Sequence, residues 1–254
     1  MQNKLPANYK LTAYTDHAHK LIINTERKNQ ILNFIAENNW ATVSNLQDFI
    51  KVKHRQSITR LLDGLVGTGK LFVNKILVNN VSHNVYTITN LGCFSINLGY
   101  RYYQFRLSTQ NFLHATKVQS LQIISLSFGF TWINELNIIR SKLYSSQPDG
   151  VLIVPKSSVQ ISIELQRNKL NINSFKAKIN KCLADALNKK FTSILYVCTD
   201  NVTANIMSRT FNSINSVKGK NNKSVILTPE YRKYFEFINI IDYHNYLNKL
   251  ILQG

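Results

Sequence analysis

The sequence predicts an α/β chain, α+β overall: a small helical module closed by a β-hairpin, then a mixed sheet flanked by helices. Three observations predict it. Three helical stretches within residues 27–71 precede two alternating strands around Asn79-Asn80. From residue 145 onward the pattern alternates as ββαβαβα. Hydrophobic residues make up 44% of the 254, enough for buried cores. The expected divisions are an N-terminal arm over 1–26, a helical module over 27–104 and a sheet domain over 105–254, with the boundary near residues 98–108.

The elements follow in order. "RKNQILNFIAENN" (27–39) puts Ile31, Leu32 and Ile35 on one helical face. "TVSNLQDFI" (42–50) reads as a short helix, with Ser44 and Gln47 spaced as a capping box. "HRQSITRLLDGLVGTGKL" (54–71) is a third. Its Ile58, Leu61, Leu62 and Leu65 face inward, and Arg55, Gln56, Thr59 and Arg60 face outward. "LFVNKILVNNVSHNVYTITNLG" then alternates like two strands about a turn. This is the order of a winged helix-turn-helix.

The second half starts less clearly. "GYRYYQFRLS" (99–108) is aromatic and basic, a composition that fits a domain junction or base stacking. A long helix follows, with His114 in its first turns. "TWINELNIIRSKL" (131–143) reads equally as strand or helix. "SSQPDGVLIVPKSSVQISIELQ" (145–166) is a hairpin, and 173–190 a lysine-rich amphipathic helix. A strand (191–200), a helix (201–214), a charged loop (218–224), a strand (225–229) and a mostly helical end (230–253) complete the chain.

Charge narrows the function. The formal net charge is +18, which points to a polyanionic partner, nucleic acid first and a membrane surface second. No apolar run reaches the roughly 18–20 residues of a spanning helix, and the first twenty residues lack a signal-peptide core. Cys93, Cys182 and Cys198 are too dispersed for a zinc site or a disulfide framework. A reducing cytoplasm is expected. In a winged helix the third helix enters the major groove. Arg55, Gln56, Thr59 and Arg60 would then read bases, and Lys75 and His83 would touch phosphates.

Several motifs fail. "GLVGTGKL" (64–71) has Gly64, Gly69 and Lys70 of a phosphate-binding loop. Leu71 stands where a magnesium-binding hydroxyl belongs, and a helix precedes it where a strand is needed. "YTDHAHK" (14–20) resembles the histidine pair of tyrosine-dependent nicking enzymes, but it lies in the arm and lacks a third ligand. No GxSxG signature occurs. Tyr100, Tyr102, Tyr103, Tyr243 and Tyr246 are available as nucleophiles, none within a motif.

The hairpin carries the chemistry. Side-chain alternation puts Glu164 and Gln166 on one face of its second strand. Asp149 opens the first strand, and folding at Pro155–Ser158 brings it to Glu164. Adjacent carboxylates repel unless a cation neutralises them, and a hard ion such as Mg²⁺ or Mn²⁺ takes oxygen ligands. The alternative is a solvated sheet face with no ligand.

"PDG" (148–150) and "IELQ" (163–166) resemble the PD-(D/E)xK nuclease motif, with Gln166 where that motif has lysine. Lys169 and Lys176 stand nearby as substitute charges. The whole order resembles the plasmid mobilisation protein C family and the related replication-relaxation proteins over about residues 27–215. The resembling parts are "LLDGLVGTGKL", "VYTITNLG", the helix opening at His114, "WINELNIIR", the "PDG" strand, "ISIELQRNKL" and the lysine-rich helix. The resemblance implies a winged helix followed by a restriction-endonuclease-like domain. It also implies a relaxase that nicks one strand of double-stranded DNA at a plasmid transfer origin, with other relaxosome proteins and a coupling protein as partners. Asp149 and Glu164 would be metal ligands, Gln166 the aligner and Glu135 an additional ligand. For Glu135 a surface salt bridge with Arg140 or a nearby lysine is the competing expectation. Two other functions remain open: a non-catalytic DNA-binding regulator or relaxosome accessory on a degenerate nuclease fold, and a ribosome- or RNA-associated basic protein, for which no motif speaks.

Overall fold

The computed structural model describes residues 7–99, 107–218 and 224–253. The chain divides into two compact units, Met1–Thr109 and Gln110–Gly254, and its architecture is mixed α/β.

Unit 1 begins with α1 (Ala7–Asn38), so the expected arm is helical from residue 7 and continuous with the first expected helix. Ile31, Leu32, Phe34, Ile35 and Ala36 are buried near its C-terminal end. A short strand β1 (Ala41–Thr42) leads into α2 (Val43–Ile50). Thr42, not Ser44, caps α2: its side-chain oxygen accepts from Asn45 N at 3.2 Å. Sequence spacing cannot choose between two hydroxyls two residues apart; the backbone turn chooses. α3 (Arg55–Gly67) buries Ile58, Leu61, Leu62 and Leu65, as the periodicity requires.

β2 (Leu71–Val78) and β3 (Val81–Ile88) form a hairpin, with β1 on the far side of β3. Asn79 and Asn80 turn at φ 49° and 62°, the left-handed pair that a two-residue hairpin needs and asparagine tolerates. Gly64 lies inside α3, while Gly69 takes φ +70° just beyond it, so the near-match to a phosphate loop is a helix and its end. A further helix, α4 (Asn90–Ser95), follows the hairpin; sequence reading did not separate it from the strand. Tyr100, Tyr102 and Tyr103 lie outside the described residues, as does most of the charged loop at 218–224.

Unit 2 is a five-stranded mixed sheet with helices on both faces. After α5 (Thr109–Ser127) come β4 (Thr131–Asn134) and α6 (Glu135–Ser141). The ambiguous 131–143 stretch is therefore both strand and helix, divided at Asn134, whose side chain caps α6. β5 (Gly150–Ile153), β6 (Gln160–Gln166), α7 (Ile172–Leu187), β7 (Ser193–Cys198) and α8 (Asn201–Ser213) follow. A small hairpin of β8 (Ser216–Lys218) and β9 (Ser224–Ile226) leads to α9 (Pro229–Arg232), β10 (Phe235–Asn239) and α10 (Tyr243–Gln253). The expected mostly helical end therefore contains a sheet strand. Phe235 and Asn239 are its buried residues, and aromatics with β-branched residues favour that state.

The strand order is β10-β7-β6-β5-β4. β6, β7 and β10 run parallel, and β4 and β5 are antiparallel additions. α7 and α8 pack on one face through Phe175, Ile179, Met207 and Phe211. α5 and α10 pack on the other through Leu121, Tyr243 and Leu247. β7 alternates between the two cores, Tyr196 to the first and Leu195 and Val197 to the second. β6 is the central strand and is buried on both faces.

Candidate functional site

β6 sends Ile161, Ile163 and Leu165 into the α5/α10 core. Alternation therefore aims Ser162 and Glu164 at the α7 layer. Both are buried, Ser162 at 0% exposure and Glu164 at 6%. This removes the solvated-face alternative: an acid is held inside a protein layer.

Asp149 reaches the same place from the neighbouring strand. The β5–β6 register ends at Gly150↔Ile163, so the next residue back, Asp149, stands opposite Glu164. Asp149 Oδ2 accepts the Leu165 backbone N–H at 2.7 Å. Its Oδ1 lies 3.0 Å from His114 Nε2, on α5. Gly150 is demanded by packing: a Cβ there would sit 2.0 Å from the Trp132 ring.

The loop before Asp149 is tied to α7 by two charged residues. Lys178 Nζ donates to the Ser146 and Gln147 carbonyls at 2.9 and 3.0 Å. Its third partner is Glu164 Oε1 at 2.9 Å. Two helical turns on, the fully buried Asp185 carboxylate accepts from Ser145 N and Ser146 N, each at 2.8 Å, and from Ser146 Oγ at 2.8 Å. Lys190 closes that set at 3.2 Å. Among the described residues there are three ion pairs, and each involves one of Asp149, Glu164 and Asp185. The clamp holds Asp149 at the edge of the site without spending its carboxylate on the loop.

Electrostatics follow from this packing. Burial pushes Glu164 up to about 8 against the pull of Lys178, and repulsion from Asp149 and Glu135 adds to the rise. Burial pulls the Lys178 ammonium down, and Glu164, Cys182 and Asp149 together more than restore it, leaving it above its usual value. The two titrate as one unit. The hydrogen bond to Asp149 raises His114 despite burial. Desolvation, then the Asp149 charge, raises Glu135. Its side chain lies in the first turn of α6, and among the described residues no ion pair joins it to Arg140. Asp185 is held below the usual carboxylate range: its backbone and side-chain hydrogen bonds outweigh its burial.

Gln166 shares the strand face of Glu164, but its amide donates to the Asn168 carbonyl. The ammonium touching Glu164 comes from Lys178, not from position 166, and not from Lys169 or Lys176. Lys169 is exposed beyond the strand. Lys176 lies two residues from Lys178, on another side of α7.

The donor set fits a hard divalent cation. Asp149 and Glu164 offer oxygen, and their mutual repulsion is what such an ion relieves. Among the described residues no three His, Cys, Asp or Glu side chains form a metal-holding group. Mg²⁺ commonly uses one or two carboxylates, filling the rest with water and substrate phosphate. The location is also the carboxyl end of β6, where open α/β sheets bind ligands.

In unit 1, Arg55, Gln56 and Arg60 are exposed on α3, and Thr59 is half-buried with its hydroxyl donating to the Arg55 carbonyl at 3.0 Å. Lys75 is exposed on β2 and His83 half-buried on β3. The tyrosines divide. Tyr243 is fully buried, its hydroxyl 2.7 Å from Ser125 Oγ, and cannot reach a phosphate. Tyr246 lines a cavity with Thr192 and Glu236, at the opposite end of β6 from Glu164.

Sequence reading missed the roles of His114, Lys178 and Asp185. The last two carried a signal: with Cys182 they fall at i, i+4 and i+7 on the stripe of α7 that buries Phe175 and Ile179, where apolar residues are expected. His114 is noted in the sequence at the opening of its helix, but its pairing with Asp149 carries no local signal, since the partner is 35 residues away. No helix among the described residues is long and apolar enough to cross a membrane. No protein-family model, curated protein or solved structure matches the chain.

Proposed function

We propose that the chain is a site-specific DNA-nicking protein. Unit 1 binds double-stranded DNA, and the Asp149–Glu164–Lys178 cluster of unit 2 cuts one strand with Mg²⁺ or Mn²⁺. On the resemblance drawn from the sequence, the DNA is a plasmid transfer origin and the protein a relaxase of the mobilisation protein C type, working with other relaxosome proteins and a coupling protein. The observation that carries this reading is the contact between Lys178 and Glu164 beside Asp149: two carboxylates and an ammonium at the carboxyl end of a central strand. The order α1, α2, α3 and hairpin supports a winged helix, and the helix-flanked mixed sheet supports a nuclease-like domain.

Asp149 and Glu164 would hold the ion. When bound, it supplies Lewis acidity and a more acidic water. Lys178 places positive charge beside Glu164, where charge builds on a cleaving phosphate. His114, oriented by Asp149, holds a proton at Nε2 and is placed to pass one at the edge of the site. Glu135 adds negative charge near Asp149. In unit 1, Arg55 and Gln56 meet base edges and Lys75 the backbone.

The test is incubation of supercoiled plasmid bearing the cognate origin, with Mg²⁺, Mn²⁺ or EDTA. Open circles with metal alone are expected.

A second reading has its own support. Both Asp149 oxygens are already hydrogen-bonded, and burial favours a neutral Glu164. A DNA-binding regulator or accessory factor with an inert cluster would look like this. Origin binding without nicking in either metal would select it.

A further inference from the structure

We infer that Arg27, Lys28 and Arg60 form a phosphate-binding pocket between α1 and α3. It rests on the DNA-binding reading and extends it to a defined backbone contact. A cleft of about 410 Å³ lies between the two helices, lined by Arg27, Lys28 and Arg60 together with Asn24, Thr25 and Ser57. Arg27 and Lys28 are partly buried. The Lys28 ammonium crosses α3 one turn beyond Arg60: a Cβ at Gly64 would lie 3.7 Å from its Nζ.

Three cations around one cleft repel each other. No carboxylate lines it, and among the described residues none of the three makes an ion pair. Glu26 adjoins Arg27 in sequence and Asp63 lies three residues past Arg60, but neither lines the cleft. Ser57 sits in the first turn of α3, the positive end of that helix, and that turn contains no acid. An arrangement of guanidinium, ammonium, hydroxyl and amide donors with no acid suits a phosphate oxyanion.

The consequence separates two arginines that the outward face of α3 presents alike. Arg60 clamps a backbone phosphate, and Arg55, which does not line the cleft, is the one left to read sequence.

The experiment titrates the full chain against its origin duplex and an unrelated duplex across salt concentrations. Arg27→Gln with Lys28→Gln should weaken both duplexes by the same factor. A slope loss of about 0.9 per phosphate corresponds to about a fivefold loss at 0.15 M salt. Arg60→Gln alone should do likewise, and serves if the double variant melts early. Arg55→Ala should instead erode only the preference for the origin. An unchanged slope in both variants, or a loss confined to the origin duplex, overturns the pocket. Should the wild type bind neither duplex, the DNA-binding reading fails by itself. Titration with inorganic phosphate then decides: binding lost in the double variant supports a pocket for a free phosphorylated ligand, and no binding overturns it.

Discussion

Lys178 Nζ lies 2.9 Å from Glu164 Oε1, while Gln166, two residues along the strand from Glu164, turns its amide to Asn168. The positive charge beside Glu164 thus arrives from the following helix, α7. Lys178→Met should lower nicking by roughly 10²–10³-fold, the scale of losing one charge-stabilising donor. Origin binding measured by gel shift should stay within twofold. A Lys178→Met protein that nicks at the wild-type rate removes the lysine from the reaction.

Glu164→Gln keeps the oxygen that Lys178 contacts and removes the charge. Nicking in Mg²⁺ and Mn²⁺ should fall by orders of magnitude, since a proposed ligand and its charge go together. Calorimetric titration of Mn²⁺ should show the same loss. Gln166→Lys should preserve or raise cleavage; a fall would mean that the second cation repels Lys178 or the ion.

The raised Glu164 sets a stability trend. Its folded value, about 8, exceeds the unfolded one, so between them the folded state binds the extra proton. Stability from this group is fully present below about 4.5 and declines as pH rises toward 8. In EDTA the wild type should melt lower at pH 8.5 than at pH 6, and Glu164→Gln should flatten that difference. Parallel melting curves for the two proteins would contradict the assignment.

Asp185 has the opposite sign. Held below its usual range, it contributes stability above the unfolded value and loses it as pH falls through the folded one. Asp185→Ala strips four hydrogen bonds to Ser145 and Ser146 and leaves buried donors unpaired. A cost of about 3 kcal/mol or more is expected by urea titration. Because the same loop places Asp149, metal affinity should fall too, although Asp185 is no ligand.

Gly150→Ala forces a methyl into the Trp132 indole. The strand or the ring must move, at a cost of about 1–3 kcal/mol. Near-ultraviolet circular dichroism should report the tryptophan displacement, and nicking should drop because Asp149 is the next residue.

Legibility followed the range of the forces. Helix α3 and the β2–β3 hairpin were readable because their periodicities and the Asn79-Asn80 turn are local. The partnership of Asp149 with Glu164 was readable because a hairpin fixes its own register. β10 was not: its pattern mixes Phe, Ile and Asn in a stretch that also suits a helix, and its pairing with β7 joins residues about forty positions apart. The clamp on the Asp149 loop was hidden for a related reason. Lys178 and Asp185 look like ordinary charges of a lysine-rich helix until the sheet defines which stripe of α7 is covered.

The central position of β6 also bears on how unit 2 assembles. β4, β5 and β6 are sequential antiparallel neighbours, closer in sequence than β6 is to its parallel partner. The parallel partner β7 arrives only after the α7 crossover, a slower, less local event. In the unfolded chain Glu164 is wetted and ionised at neutral pH. Once α7 covers it, the carboxyl prefers its proton. Closure of this layer therefore draws a hydrogen ion from solution, and refolding in weak buffer at pH 7 should leave a lasting alkaline step in an indicator dye, smaller in Glu164→Gln.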